Sequence, residues 1–374
     1  MKIGIDARVL DRAFTGTGRY LQNILEELPK HDPNNEYILF TASELNVDKK
    51  FFRVVKIKQN KIPLKIYSPF WLNYELPKLV KENNLDILFS PNILVPLVNI
   101  GKTKKVAVIH DVIPQVFPEY YPFFYKQYLS FFLPRSLKKT DVVVTVSDLS
   151  KNDLAKYYGV EKNHIKVVYN IASKNFKPRE HSEYSKNEEF NKLNLPSKYI
   201  LYVGAVEKRK NIICLLKVMD VLKEKSSDLK LVLVGKNGYD AQNILPEIEK
   251  RKSFIRHFQF INDDILKYIF NGAFAFLFPS FYEGFGIPPL EAMQSGIPVL
   301  SSNTSSLVEV VGQGGLMHDP EDYHAFAEDI LKLQNDANFY SEMKLKALEQ
   351  SKKFDIKNET KKLVGIFNEL GNKS

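Results

Sequence analysis

The sequence predicts two α/β domains, each a doubly wound parallel sheet covered by helices. Its 374 residues exceed one ordinary core, and two domains of about 170–190 residues are the natural division. Short apolar runs alternate with segments of helical period along the whole chain, the pattern of parallel sheets wrapped by helices. That alternation restarts near residue 198, after a polar stretch with no strand pattern.

In the first half KIGID (2–6), EYILF (36–40), RVVKI (53–57), DILFS (86–90), KKVAVIHD (104–111) and DVVVTVS (141–147) read as strands. Each is short, apolar and rich in β-branched residues, with polar or turn residues at its ends. Residues 17–29 carry the apolar spacing of an amphipathic helix. The stretch 175–198, NFKPREHSEYSKNEEFNKLNLPSK, is charged and patternless and reads as the seam. Beyond it YILYVGAV (199–206), LKLVLVG (229–235), FQFI (258–261), GAFAFLFPS (272–280) and GIPVLSS (296–302) read as strands. Helical periods cover 211–225, 241–252 and 322–335. The expected division is a first domain over 1–178, a linker over 179–197 and a second domain over 198–356. A last helix within 357–374 is expected to pack back on the first domain.

Composition narrows the function classes. A hydrophobic share of 44% and a charged share of 26% are those of a soluble globular protein. No apolar run approaches the roughly 20 residues of a membrane span, and the N-terminus reads as a buried strand rather than a signal peptide. One cysteine, Cys214, excludes an internal disulfide framework and cysteine-based metal sites and suits a reducing compartment. A cytoplasmic protein is expected. The net charge of +9 is unevenly placed: residues 1–180 hold 28 Lys and Arg against 18 Asp and Glu, the remainder 25 against 26. Such a field favours an anionic partner, either nucleic acid or an anionic membrane surface.

Open α/β sheets bind ligands beyond the carboxyl ends of their strands, so unusual residues just after strands are the candidates. Gly16-Thr17-Gly18 opens the first helix, offering backbone N–H groups and a dipole end to a phosphate; an ordinary tight turn is the alternative. His110-Asp111 ends a strand, where an imidazole can donate or accept hydrogen bonds; a structural histidine capped by its neighbouring Asp is the plainer explanation. Arg209-Lys210 stands after the strand ending at Gly204. An arginine fork with a lysine point charge suits a diphosphate, against solvated charge beside a turn.

SFYEGFGIPPLEAMQSG (280–296) is the strongest signal. Pro288 and Pro289 suit a helix's first turn, and Gly284 and Gly286 let the backbone approach a ligand. Glu283 then lies on the loop and Glu291 in the first helical turn. The two carboxylates are either an acid/base pair or hold different parts of one ligand. Simple dipole pairing would account for Glu291 alone.

Together with IGIDARVL…TGTGRYLQNIL, VIHDVIP…FPEYY, TVSDLS, YVGAVEKRKN and GGLMHDPED, these residues resemble glycosyltransferase family 4 over nearly the whole chain, in the form of its mannosyltransferase-like branch. The resemblance implies the GT-B fold, two Rossmann-like domains facing a central cleft. It implies a retaining, metal-independent hexosyltransferase of polysaccharide or O-antigen biosynthesis, moving mannose from GDP-mannose to a hydroxyl of a glycan or lipid-linked acceptor. A UDP-sugar donor is the alternative; a sugar-nucleotide epimerase, a phosphorylase and a nucleic-acid-binding protein are weaker rivals. No metal and no cofactor beyond the nucleotide sugar is implied, and no nucleic acid.

By the same resemblance the Gly16–Gly18 loop approaches diphosphate and acceptor, His110 contacts the transferred sugar, and Arg209 and Lys210 hold the diphosphate. Glu283 meets sugar hydroxyls, the amides of Phe285, Gly286 and Ile287 lie beside sugar and phosphate, and Glu291 holds the ribose. The base is read by main chain at Phe260, Ile261 and Asn262. Many members carry arginine directly after the strand glycine; here it is Ala205, which shifts the diphosphate grip to Arg209 and Lys210.

Residues 117–139, FPEYYPFFYKQYLSFFLPRSLKK, hold nine aromatics and end in Arg135, Lys138 and Lys139. Aromatic rings and cations suit an anionic membrane surface, here the inner face of the cell membrane; a helix packed in the core is the alternative.

Overall fold

The computed structural model describes residues 1–11, 16–58 and 68–372. The TGTG loop therefore lies partly outside the described residues, which resume at Gly16. The chain divides into two compact units, Met1–Ile171 with Phe354–Ser374, and Ala172–Lys353.

The first unit is a seven-stranded sheet in the order β3-β2-β1-β4-β5-β6-β7. Its strands are β1 (Lys2–Asp6), β2 (Glu36–Thr41), β3 (Phe52–Lys56), β4 (Ile87–Ser90), β5 (Lys104–Ile109), β6 (Val142–Thr145) and β7 (Ile165–Val167). Every pairing is parallel. Helices cover both faces, which is why the central strands are apolar on consecutive residues rather than alternate ones; Ile3, Ile5, Leu88, Phe89 and Val106 to Ile109 are fully buried. The edge strand β7 escaped the sequence reading because its three residues are too few to show a period.

Helix α1 (Gly16–His31) buries Tyr20, Leu21, Ile24, Leu25 and Leu28, one stripe at helical spacing. Helix α2 (Phe123–Leu137) buries only Leu129, Leu133 and Ser136. The C-terminal helix α3 (Ile356–Gly371) belongs to this first unit. Its Phe367 ring meets Phe89 edge-on at 5.4 Å, and Glu359 accepts a 2.9 Å bond from the Tyr169 amide.

The second unit is a six-stranded parallel sheet in the order β10-β9-β8-β11-β12-β13. Its strands are β8 (Tyr199–Val203), β9 (Lys230–Val234), β10 (Ile255–Phe258), β11 (Ala275–Phe278), β12 (Val299–Ser302) and β13 (Leu316–His318). Two sequence expectations need correcting. The strand placed at 258–261 is Ile255–Phe258, set by pairing Ile255 to Leu231 and Phe258 to Val234; Phe260, Ile261 and Asn262 lie beyond its carboxyl end. The stretch expected as a linker, 179–197, carries two short helices, His181–Tyr184 and Glu188–Lys192. Tyr184 and Phe190 pack with Tyr268, and two anchoring aromatics in a charged stretch are too sparse to show a period.

Candidate active site

In the second unit three loops converge beyond adjacent strands. The loops after β8 and β11 are joined by backbone: the Phe281 amide donates to the Arg209 carbonyl at 3.1 Å, and Arg209 Nη1 donates to the Tyr282 carbonyl at 2.7 Å. The loop after β12 supports both. Ser305 Oγ accepts from the Glu283 amide at 3.0 Å, while Ser306 Oγ donates to the Glu283 and Phe285 carbonyls at 2.8 and 2.7 Å. Thr304 Oγ1 donates to the Phe281 carbonyl at 3.0 Å.

This scaffold assembles a charge cluster. Lys210 Nζ lies 2.6 Å from Glu283 Oε1, and Arg209 Nη1 lies 3.3 Å from the same oxygen. Arg209 Nη2 reaches Glu207 Oε1 at 2.7 Å. Lys210 also lies 5.1 Å from the centre of the Phe278 ring. Burial opposes the Glu283 charge, but the two cations and the Lys210 hydrogen bond outweigh it and hold its carboxyl below the usual range. Lys210 is pushed below the usual lysine value, first by burial and then, against the pull of Glu283, by repulsion from Arg209. Glu283 faces both cations, while Arg209 is shared between Glu283 and Glu207.

Helix α4 (Ile287–Gln294) follows this loop, so Glu291 is its fifth residue rather than part of its first turn. Dipole pairing in the first turn therefore does not explain it, and its side chain is buried. Pro288 and Pro289 have no N–H, and the Leu290 amide bonds back to the Gly286 carbonyl. Of the first three helical residues, only Ile287 therefore carries an N–H. Gly286 has φ +122°, and a Cβ there would meet Leu307 Cδ2 at 2.9 Å, so this position requires glycine.

Phe260, two residues beyond β10, is 64% exposed. The Asn262 side chain caps the next helix by accepting from the Asp264 amide at 3.1 Å. The sequence reading missed Glu207 and the hydroxyls of Thr304, Ser305 and Ser306. The signal for the latter was present as the run SSNTSS, 301–306, directly after a strand.

In the first unit His110 follows β5, as Gly16 and Gly18 open α1. The His110 ring meets Tyr20 of α1 edge-on at 4.9 Å. Burial pushes its pKa down to about 4, against a hydrogen bond with the Pro91 backbone, so the ring is neutral at physiological pH. Asp111 does not cap it: that carboxylate accepts from the Ile113 amide at 3.1 Å. The Nε2 atom is buried without a hydrogen-bonding partner among the described residues, an uncommon state for a native polar group. Another group missed from sequence lies at the carboxyl end of β1. Asp6, fully buried, holds Arg8 through 2.8 and 2.7 Å bonds, and the Arg8 guanidinium lies over Trp71 at 4.5 Å.

Two family models match the chain: Glycosyltransferase Family 4 over residues 14–173 and Glycosyl transferases group 1 over residues 184–350. The chain is 33% identical to O-antigen chain mannosyltransferase B of Escherichia coli over 244 residues, 64% of each chain and so just under two thirds of that relative. It is 30% identical to O-antigen chain mannosyltransferase RfbU of Salmonella typhimurium over 273 residues, 72% of this chain and 70% of that protein. In structure it resembles sucrose-phosphate synthase from Thermosynechococcus elongatus, with a TM-score of 0.80, 17% identity and full coverage of both chains.

Proposed function

The chain belongs to glycosyltransferase family 4, and on that premise we propose that it transfers mannose from GDP-mannose to a hydroxyl of a glycan or lipid-linked acceptor, with retention of configuration. The observation that carries the reading is the convergence of Arg209, Lys210, Glu283 and the amides before α4 beyond three adjacent strands of one sheet. Such a site matches a leaving diphosphate with cations and amide dipoles placed before the reaction begins. Mannose is favoured because the relatives that cover most of the chain are named as mannosyltransferases. Glu283 responds to the sugar, Glu291 holds the ribose, and neutral His110 offers the sugar a hydrogen bond rather than a charge. No metal takes part in this reading.

Thermal denaturation with a panel of nucleotide sugars tests it. GDP-mannose at 100 times its Kd should stabilise the protein by about 2.7 kcal/mol, and UDP-sugars at the same concentration should not. Product analysis with and without a glycan acceptor separates transfer from epimerisation. Stabilisation by UDP-sugars alone would reject GDP-mannose as donor.

An anionic membrane surface is proposed as a further partner of the first unit. Helix α2 leaves Phe123, Phe124 and Phe131 63%, 74% and 51% exposed, and Arg135 lies over Phe131 at 3.7 Å. Core packing thus accounts for only one face of this helix. No helix among the described residues is long and apolar enough to cross a membrane, so contact would be at the surface, with each cation near an anionic leaflet adding about 1 kcal/mol. Co-sedimentation is expected with anionic vesicles and not with neutral ones; equal binding to both, or to neither, rejects the partner.

A further inference from the structure

The sequence presents Arg209 and Lys210 as a cationic grip awaiting an anion. The structure shows that grip already filled. Glu283 Oε1 lies within 2.6 Å of Lys210 and 3.3 Å of Arg209, and Glu207 takes the other arm of Arg209 at 2.7 Å. Two cations and two carboxylates cancel, and the side chains of Arg209, Lys210 and Glu283 are 12%, 13% and 11% exposed. Ionic contacts at that burial are screened far less than surface pairs. An arriving diphosphate must therefore take the cations from a carboxylate that is already hydrogen-bonded to them.

We propose that Glu283 is a built-in competitor for the donor's diphosphate, which weakens the hold on free nucleoside diphosphate and so promotes release of that product. The inference rests on the donor-site reading above. With an intact nucleotide sugar, the displaced carboxylate is repaid by sugar hydroxyls that donate to it. Once the sugar has left, the nucleoside diphosphate supplies no such donors. The carboxylate then returns to Lys210 and Arg209 and competes for them uncompensated. Glu283 thus favours intact donor over spent product at the same cations, a discrimination by a repulsive as well as an attractive element.

Calorimetry with GDP and with UDP on the full chain tests this. Glu283→Gln should bind its cognate nucleoside diphosphate about 10-fold more tightly than wild type, the scale of one contested charge-assisted hydrogen bond. It should not bind the intact nucleotide sugar more tightly. Binding to the variant should also fall more steeply with salt, because Lys210 and the Nη1 arm of Arg209 no longer face the Glu283 charge. Glu283→Asp keeps the charge but withdraws it by one methylene, and should show a smaller gain; it carries the test if the glutamine variant fails to fold. A nucleoside diphosphate affinity unchanged or weakened in a folded Glu283 variant, with wild type binding normally, overturns the inference alone. Absence of binding by wild type and both variants removes the donor-site reading and the inference together.

Discussion

Replacing Glu283 by Gln is expected to lower the rate of sugar transfer by about 100-fold, the scale for loss of one electrostatic group preorganised for the transition state. The carboxylate lies on the glycine loop, fixed through its backbone by Ser305 and Ser306, where it can answer positive charge developing on the sugar. An interaction that strengthens in the transition state appears in kcat rather than in donor binding. Donor KM should therefore change little while kcat falls. The wild-type protein decides whether Glu283 and Glu291 are an acid/base pair. A retaining hydrolase needs carboxyls about 5–5.5 Å apart, with one acting as nucleophile. A carboxylate bonded to both Arg209 and Lys210 is a poor nucleophile, because the two cations withdraw charge from it and favour its ionised, paired state. Mass spectrometry of wild type with donor and a slow acceptor should show no covalent sugar. A hexose adduct mapped to Glu283 or Glu291 would restore the pair.

Lys210→Met should destabilise the second unit by about 2–3 kcal/mol. Removing one partner of a buried ion pair costs about 3–5 kcal/mol when the remaining charge is left alone; here Arg209 at 3.3 Å still compensates Glu283, which sets the value below that range. The pH dependence has a definite sign. The folded carboxyl of Glu283 lies below its ordinary value of 4.5, so its stabilising contribution is complete above that pH and is lost as pH falls through the folded value. The Met variant should lose part of this acid dependence. Urea unfolding at pH 7 and pH 4 measures both effects: an unchanged midpoint at pH 7 would mean that the Lys210 contact contributes nothing to stability, and a larger gap at pH 4 would reverse the assigned direction.

Much of this protein is determined by its sequence alone. Strands buried on both faces must be continuously apolar, so β1, β2, β4, β5, β6, β8, β9, β11 and β12 announce themselves without a template. Prolines in a helix's first turn and a glycine before it locate α4 to within a residue or two, and Glu283 and the Arg209-Lys210 pair could be selected because each follows such a strand. The three-residue edge strands and the two anchored helices in 179–197 were not legible, since a period cannot appear in three residues or in two aromatics.

Only the tertiary structure decided the charge state of the site. Lys210 and Glu283 stand 73 positions apart, and they meet because the sheet order places β11 directly beside β8. The intervening β9 and β10 are sent to the other side of β8. That crossover is set by packing across the whole sheet, and no local pattern encodes it. From sequence the two cations therefore looked ready for an anion; in the fold they already hold one, because a loop 73 residues away is brought to within one hydrogen bond.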